Sequence, residues 1–268
     1  MLKTRLITAA IAAALLIVVL LSNPKWLTLG IVIISLIGVC ELYAAAGLTK
    51  NRFLCTLGCI GSVLVCLGDM LNPHYVMSMV YVYLLLIFIA MLYNHKEITL
   101  INIALILFGN LYVAYFMSHI IFIRNIPDIG RHLVWLVFLG ACSTDTFAFF
   151  VGRAVGKHRM APEISPKKTT EGAVGGILGT GFMFLLYGAV MSKYFDIQLD
   201  MIRLFILGLI CAAVSEIGDL LASSIKRSYG IKDFGYILPG HGGILDRFDS
   251  ILLVAPAIYI FINSIGLM

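Results

Sequence analysis

The chain has 268 residues, of which 61% are hydrophobic and only 12% charged, with a mean hydropathy of +1.02. Soluble domains carry about a quarter of their residues as charges, so this composition excludes an ordinary soluble domain and indicates a polytopic membrane protein. The net charge of +5 sits in short segments between apolar runs, not on one amphipathic face; that distribution argues against nucleic acid and for membrane topology and anionic ligands.

A membrane span needs about 20 apolar residues. Runs at 5–22, 26–48, 53–71, 75–93, 98–123, 132–152, 173–192, 201–223 and 248–267 predict about nine transmembrane helices, hence an all-α, multi-pass integral membrane protein. Lys3 and Arg5 ahead of the first run resemble a signal peptide, but no small-x-small cleavage site precedes Asn23-Pro24, and a first membrane helix is expected. Cys40, Cys55, Cys59, Cys66, Cys142 and Cys211 all fall within apolar runs and read as small core residues. With the N-terminus inside, cytoplasmic segments hold 14 of the 19 Lys and Arg residues. This bias puts the polar loops 153–172 and 224–247 on the cytoplasmic side.

Several spans carry acids: Glu41, Asp69, Asp145, Glu216 and Asp219. An ionisable side chain at membrane depth costs several kcal/mol unless paired or hydrated. Glu41 and Asp69 read as structural pairs or interfacial residues; Asp145 lies just before the first basic loop, where a structural and a functional role fit equally. That loop carries Arg153, Lys157, His158, Arg159, Lys167 and Lys168. It reads as a topology signal with affinity for anionic headgroups. It also reads as a phosphate site, because Ser165-Pro166-Lys167-Lys168-Thr169 leads into Glu171-Gly172 and a glycine-rich helix start. No strand is expected before Gly175, Gly176, Gly179 and Gly181, so a dinucleotide fingerprint is not indicated. Glycines spaced four apart predict close helix packing instead.

In the C-terminal third, Glu216 and Asp219 are three residues apart, Ser223 follows Asp219 by four, and all three share a helix face. Asp246 and Asp249 repeat the three-residue spacing beyond a segment containing Lys226, Arg227, Lys232, Asp233, His241 and Arg247. The two acidic pairs can converge on a hard cation, Mg²⁺, with Asp219, Asp246, Glu216 and Asp249 as candidate ligands. Alternatively the acids pair with Lys226, Arg227 and Arg247. Pro239-Gly240-His241-Gly242-Gly243 predicts a tight turn that lets backbone amides approach a ligand. His241 then touches phosphate, or is a hydrogen-bonded structural residue; with no cysteine or second histidine nearby, zinc does not fit.

Ser223, Lys226-Arg227, Lys232-Asp233, Gly235, Pro239, His241-Gly242-Gly243, Asp246-Arg247 and Asp249 resemble the signature of the phosphatidate cytidylyltransferases, or CDP-diacylglycerol synthases. Asp145 to Gly172 is similar to a second stretch of that family, so the likeness covers roughly the C-terminal half. The resemblance implies condensation of CTP with phosphatidate to CDP-diacylglycerol and pyrophosphate, at the cytoplasmic face of the inner membrane, with Mg²⁺ required. It implies Asp219 and Asp246 as metal ligands, with Glu216 and Asp249 serving the same metal or a second cation. Lys226, Arg227, Lys232 and His241 would hold phosphates, while Arg153, Lys167 and Lys168 would hold the other substrate's phosphate or the triphosphate. Ser223, Asp145, Gly242, Gly243 and Arg247 complete the expected substrate site. Residues 1–123 would form N-terminal membrane helices and 124–268 the catalytic region. A polyprenol- or phytol-type kinase using CTP and an ion-coupled transporter are the rival readings. The paired glycines of the seventh span are compatible with a homodimer and equally with packing inside one chain.

Overall fold

A computed structural model of the protein describes residues 2–71 and 73–267 and is almost wholly helical. The side chains of Lys3, Arg5 and Asp69 lie outside the described residues. The helices are α1 (Leu2–Leu21), α2 (Pro24–Ala45), α3 (Arg52–Leu67), α4 (Pro73–Tyr93), α5 (Leu100–Gly109), α6 (Phe116–Arg124), α7 (Gly130–Val155), α8 (Thr170–Phe195), α9 (Met201–Ser228) and α10 (Leu245–Ile265). A π-helical turn, Asn110–Tyr115, joins α5 to α6. Starts follow local chemistry: Asn23 accepts the Lys25 N–H with Pro24 at the first position of α2, and Asn51 accepts the Leu54 N–H at α3.

Among the described residues seven helices are long and apolar enough to cross a membrane, where the sequence predicts about nine. The first and third expected spans correspond to shorter apolar helices, Ala10–Leu21 and Arg52–Leu67. At 1.5 Å per residue, the 16 residues of α3 cover about 24 Å, less than a hydrocarbon core of about 30 Å; the Asn51 cap and the 3-10 turn Gly68–Met70 set its limits.

The chain divides into two compact units, residues 1–125 with 229–248, and residues 126–228 with 249–268. In the first, α2 is locked by Tyr43. Its hydroxyl reaches the Ile106 carbonyl at 3.0 Å and Asn110 Oδ1 at 3.2 Å, and the same oxygen accepts from Ser62 at 2.8 Å. Asn110 Nδ2 donates to the Tyr83 hydroxyl at 2.6 Å. The Tyr43 ring is wedged between helices, since a Cβ at Gly58 or Gly109 would lie 2.6 Å from it.

In the second unit α8 packs against α7 and α9 through glycine. A Cβ on Gly172 would sit 2.7 Å from the Ala148 carbonyl and 3.1 Å from Gly152 Cα, and one on Gly176 would sit 3.1 Å from the Thr144 carbonyl. The four-residue glycine spacing therefore serves backbone approach, as expected. Thr180 adds a polar clasp, its hydroxyl 3.0 Å from those of both Ser143 and Thr144. One feature departs from the sequence reading: residues 159–169 form an antiparallel hairpin of β1 (Arg159–Ala161) and β2 (Ser165–Thr169), so a short strand does precede the glycine-rich helix. It belongs to a two-stranded hairpin and not to a parallel βαβ unit, and of the glycines beyond it Gly175, Gly176 and Gly179 are packed against α7 and Gly181 against α9.

Gly172→Ala would press a methyl group against backbone that cannot turn aside. It is expected to lower stability in detergent by about 1–3 kcal/mol, read as an earlier thermal unfolding midpoint. Gly68→Ala, where a Cβ meets nothing within 4 Å, should stay within about 0.5 kcal/mol.

Candidate active site

The hairpin carries Lys168 to α9. Lys168 Nζ lies 2.5 Å from Glu216 Oε2 and 2.7 Å from Asp219 Oδ2. Burial disfavours the ammonium, yet the two carboxylates more than offset this and hold its pKa above the ordinary lysine value of 10.5. The partner seen for these acids is thus a lysine 48 residues before Glu216, from the other polar loop. Glu216 is buried and anchors the lysine, while Asp219 keeps 30% of its side chain exposed and is open to a ligand.

Around this pair the second unit gathers further charge. Asp249 of α10 lies within electrostatic range of Asp219, Asp145 and Lys226, and its Oδ1 accepts the Ser250 N–H at 2.8 Å. α9 comes close to α10 here because position 218 is glycine: a Cβ would meet the Asp249 carbonyl at 2.8 Å. Acids from α7, α9 and α10 therefore share one field with Lys168 and the buried Lys226. Ser223 is half-buried one turn beyond Asp219, whereas Arg153, Lys167 and Arg227 are exposed. Among the described residues, no three His, Cys, Asp or Glu side chains are already drawn into a metal-ligand set.

At the helix start thought to offer N–H groups to phosphate, two of the amides are taken from within. Thr169 Oγ1 accepts the Gly172 N–H at 3.2 Å, the His158 carbonyl accepts the Thr170 N–H at 3.0 Å, and Glu171 holds His158 Nδ1 at 2.6 Å.

In the first unit, the segment after α9 folds into the expected turn. The Leu238 N–H donates to the Gly242 carbonyl and the His241 N–H to the Leu238 carbonyl, with Gly240 at φ 79° and Gly242 at φ 83°, where a side chain is strained. Asp246 Oδ2 accepts N–H bonds from Phe234 at 2.8 Å and Gly243 at 3.0 Å. The result is a polar cleft of about 660 Å³ lined by Lys232, Asp233, Tyr236, His241, Gly242 and Arg247. His241 Nδ1 is buried there with no hydrogen-bond partner among the described residues. A buried nitrogen left unpaired is unusual and marks a place for a ligand, water or ion.

Sequence reasoning missed one residue of this loop's machinery. Glu41, read as a structural or interfacial acid, accepts the Ile244 N–H at 3.0 Å and the Leu245 N–H at 2.8 Å. The only signal was a lone glutamate in an apolar span, which names no partner.

Comparison with known proteins gives a consistent result. The family model described as the cytidylyltransferase family matches residues 3–265. The chain is similar to a phosphatidate cytidylyltransferase of Rickettsia bellii, 38% identical over 208 residues, covering 75% of this chain and 89% of that protein. It is similar to the enzymes of that name from Staphylococcus saprophyticus, 33% identical over 270 residues (98% and 100%), and Staphylococcus haemolyticus, 31% over 264 residues (97% and 98%).

Lys168→Gln removes the shared cation of two carboxylates and is expected to cost about 1.5–3 kcal/mol of stability near neutral pH. The raised lysine pKa fixes the sign of the pH dependence. The ion pair's contribution is complete below the ordinary value of 10.5 and is lost as pH rises through the higher folded value. Thermal unfolding of wild type and variant should therefore differ by a constant amount from neutral to moderately alkaline pH and converge only in strong alkali.

Proposed function

The chain belongs to the cytidylyltransferase family, and from that premise we infer how its polar residues carry out the reaction. It is a phosphatidate cytidylyltransferase, condensing CTP with phosphatidate to give CDP-diacylglycerol and pyrophosphate in phospholipid synthesis. A phosphate oxygen of phosphatidate bonds to the α-phosphorus of CTP, and the bond from that phosphorus to the bridging oxygen breaks, its electron pair leaving with pyrophosphate. The nucleophile is a phosphate monoester with a second pKa of about 6, largely ionised at neutral pH, so no strong general base is required. What the protein must supply is charge neutralisation and alignment of two polyanions.

The observation that best supports a phosphate site in the glycine loop is His241. Its buried Nδ1 lacks a partner in a cleft that also presents Lys232 and Arg247. We assign His241, Lys232 and Arg247, on the turn that Gly242 and Gly243 shape, to holding substrate phosphate; Lys226, Arg227 and Ser223 at the end of α9 are likewise assigned to substrate phosphate. Arg153 and Lys167 extend the basic surface toward the second substrate. Lys168 holds Glu216 and Asp219 in place through its two ion pairs.

A Mg²⁺ ion fits the chemistry of the second unit. Carboxylates within one another's field, as Asp249, Asp219 and Asp145 are, call for a cation, and carboxylate oxygens are the ligands Mg²⁺ prefers. Asp219 is proposed to hold it, with Glu216 and Asp249 supporting the same ion or a second cation; for Asp246, whose Oδ2 already takes two backbone N–H bonds, a metal role is proposed separately and is tested by substitution. When bound, the metal would withdraw charge from the triphosphate. The apolar helices make this a multi-pass membrane protein. The Lys and Arg bias supports an N-terminus inside and polar loops 153–172 and 224–247 at the cytoplasmic face of the inner membrane. In this scheme residues 124–268 carry the chemistry, residues 1–123 supply membrane helices, and the acyl chains of phosphatidate stay among the surrounding lipids. The glycine faces of α8 permit a homodimer.

With α-³²P-labelled CTP and phosphatidate, label is expected in the lipid; label that reaches lipid only when the CTP is instead labelled at the γ position would identify a lipid kinase. Asp219→Asn and Asp246→Asn are each expected to reduce transfer by about 10³-fold or more while the protein still inserts, and chelation of divalent metal should stop wild-type turnover until Mg²⁺ is restored. Retained activity in either variant would remove that carboxylate from the metal site.

A further inference from the structure

Glu41 sits in α2, more than 200 residues before the glycine loop, and is only 6% exposed. Among the described residues no lysine, arginine or histidine pairs with it. Its two oxygens instead divide two consecutive backbone donors, Oε1 taking the Ile244 N–H at 3.0 Å and Oε2 the Leu245 N–H at 2.8 Å. These N–H groups open α10, where the helix dipole favours a negative charge. With the Gly243 N–H held by Asp246, three successive amides, 243 to 245, each end on a carboxylate.

The loop is also shaped to admit the Glu41 carboxylate. A Cβ at Gly243 would lie 2.5 Å from both of its oxygens, and one at Gly235 would collide with Oε1. Glu41 therefore touches the loop on both sides of the turn that carries His241. The other end of the contact is rigid, because Tyr43, two residues on, is wedged between Gly58 and Gly109 and tied to Asn110.

We propose that Glu41 is a positioning residue for cytidylyl transfer, clamping the Gly235–Asp246 loop so that Lys232, His241 and Arg247 stay aimed at substrate phosphate. This rests on the phosphatidate cytidylyltransferase reading of the loop. Glu41 touches no substrate itself. Its carboxylate replaces the phosphate that a helix N-terminus would otherwise attract, and in doing so fixes where the loop's cations stand.

The test compares wild type with Glu41→Gln, a near-isostere that turns one acceptor into a donor facing an N–H. Two readouts are taken on the full-length protein in detergent: amide hydrogen exchange of peptides covering 234–247, and kcat and KM for CTP with phosphatidate. The expected result is faster exchange confined to those peptides, unchanged protection in α7–α9, and a fall in kcat/KM for CTP of about tenfold or more. If Glu41→Gln fails to insert, Gly235→Ala disturbs the same contact from the loop side and should give the same pattern. Wild-type exchange in 234–247, or lost protection with unchanged kcat/KM, would overturn the proposal. Protection lost throughout the protein would show a general structural role and overturn it too. If wild-type protein transferred no cytidylyl group, the functional reading would fail, while the exchange measurement would still decide whether Glu41 clamps the loop.

Discussion

A carboxylate surrounded by hydrocarbon must be matched by a cation or by hydrogen-bond donors, and nearly every polar feature of this protein follows from how that demand is met. The second unit meets it with charge. Lys168 serves Glu216 and Asp219 together, an arrangement in which removal of the lysine takes the shared cation from both acids. The first unit meets it with backbone. Glu41 and Asp246 take the N–H groups around the turn at 234–245, so that loop and helix start are fixed by backbone hydrogen bonds. Lys232 and Arg247 line the cleft beside that turn.

Close backbone approach gives these polar contacts a firm base. Gly172 and Gly176 let α8 lie on α7, and Gly218 lets α9 reach the start of the buried part of α10. Without such contacts helices in a bilayer have little to hold them together, since lipid tails are as apolar as leucine. The buried Tyr43–Asn110–Ser62–Tyr83 network does for α2 what the glycines do for α8. Functional groups are consequently mounted on elements with few alternative positions, as reactions governed by alignment require.

Much of this could be read from the residues because their chemistry is out of place in a membrane. Asp219, Asp246, Lys226 and His241 stood out against apolar surroundings, and the helices followed from run length alone. Glycine spacing announced close packing of α8, without naming its partner. Other features were hidden for identifiable reasons. The hairpin at 159–169 was invisible because a polar loop rich in Lys and Pro lacks the alternating pattern of a strand. Glu41 was opaque because its partners are backbone amides some 200 positions away, which leave no trace in side-chain identity. Lys168 was recognised as important, but its ion pair with Glu216 and Asp219 depends on a tertiary turn that spacing does not encode.

The two helix starts also say how phosphate is handled here. Glycine-rich segments leading into helices commonly bind phosphate through free N–H groups. In this protein those donors are already engaged: Thr169 and the His158 carbonyl take the first amides of α8, and Glu41 and Asp246 take those around the start of α10. Recognition of two polyanionic substrates therefore rests mainly on side chains, with Lys232, Arg247 and the His241 nitrogen, unpaired among the described residues, in one cleft and Lys226 and Arg227 of α9 in the other unit. Side-chain cations can shift as charge moves from triphosphate to pyrophosphate, whereas amides locked in a helix cannot. An enzyme that binds one phosphate ester, joins it to a nucleotide and releases two further phosphates gains from that freedom, provided the loop bearing the cations is itself held still.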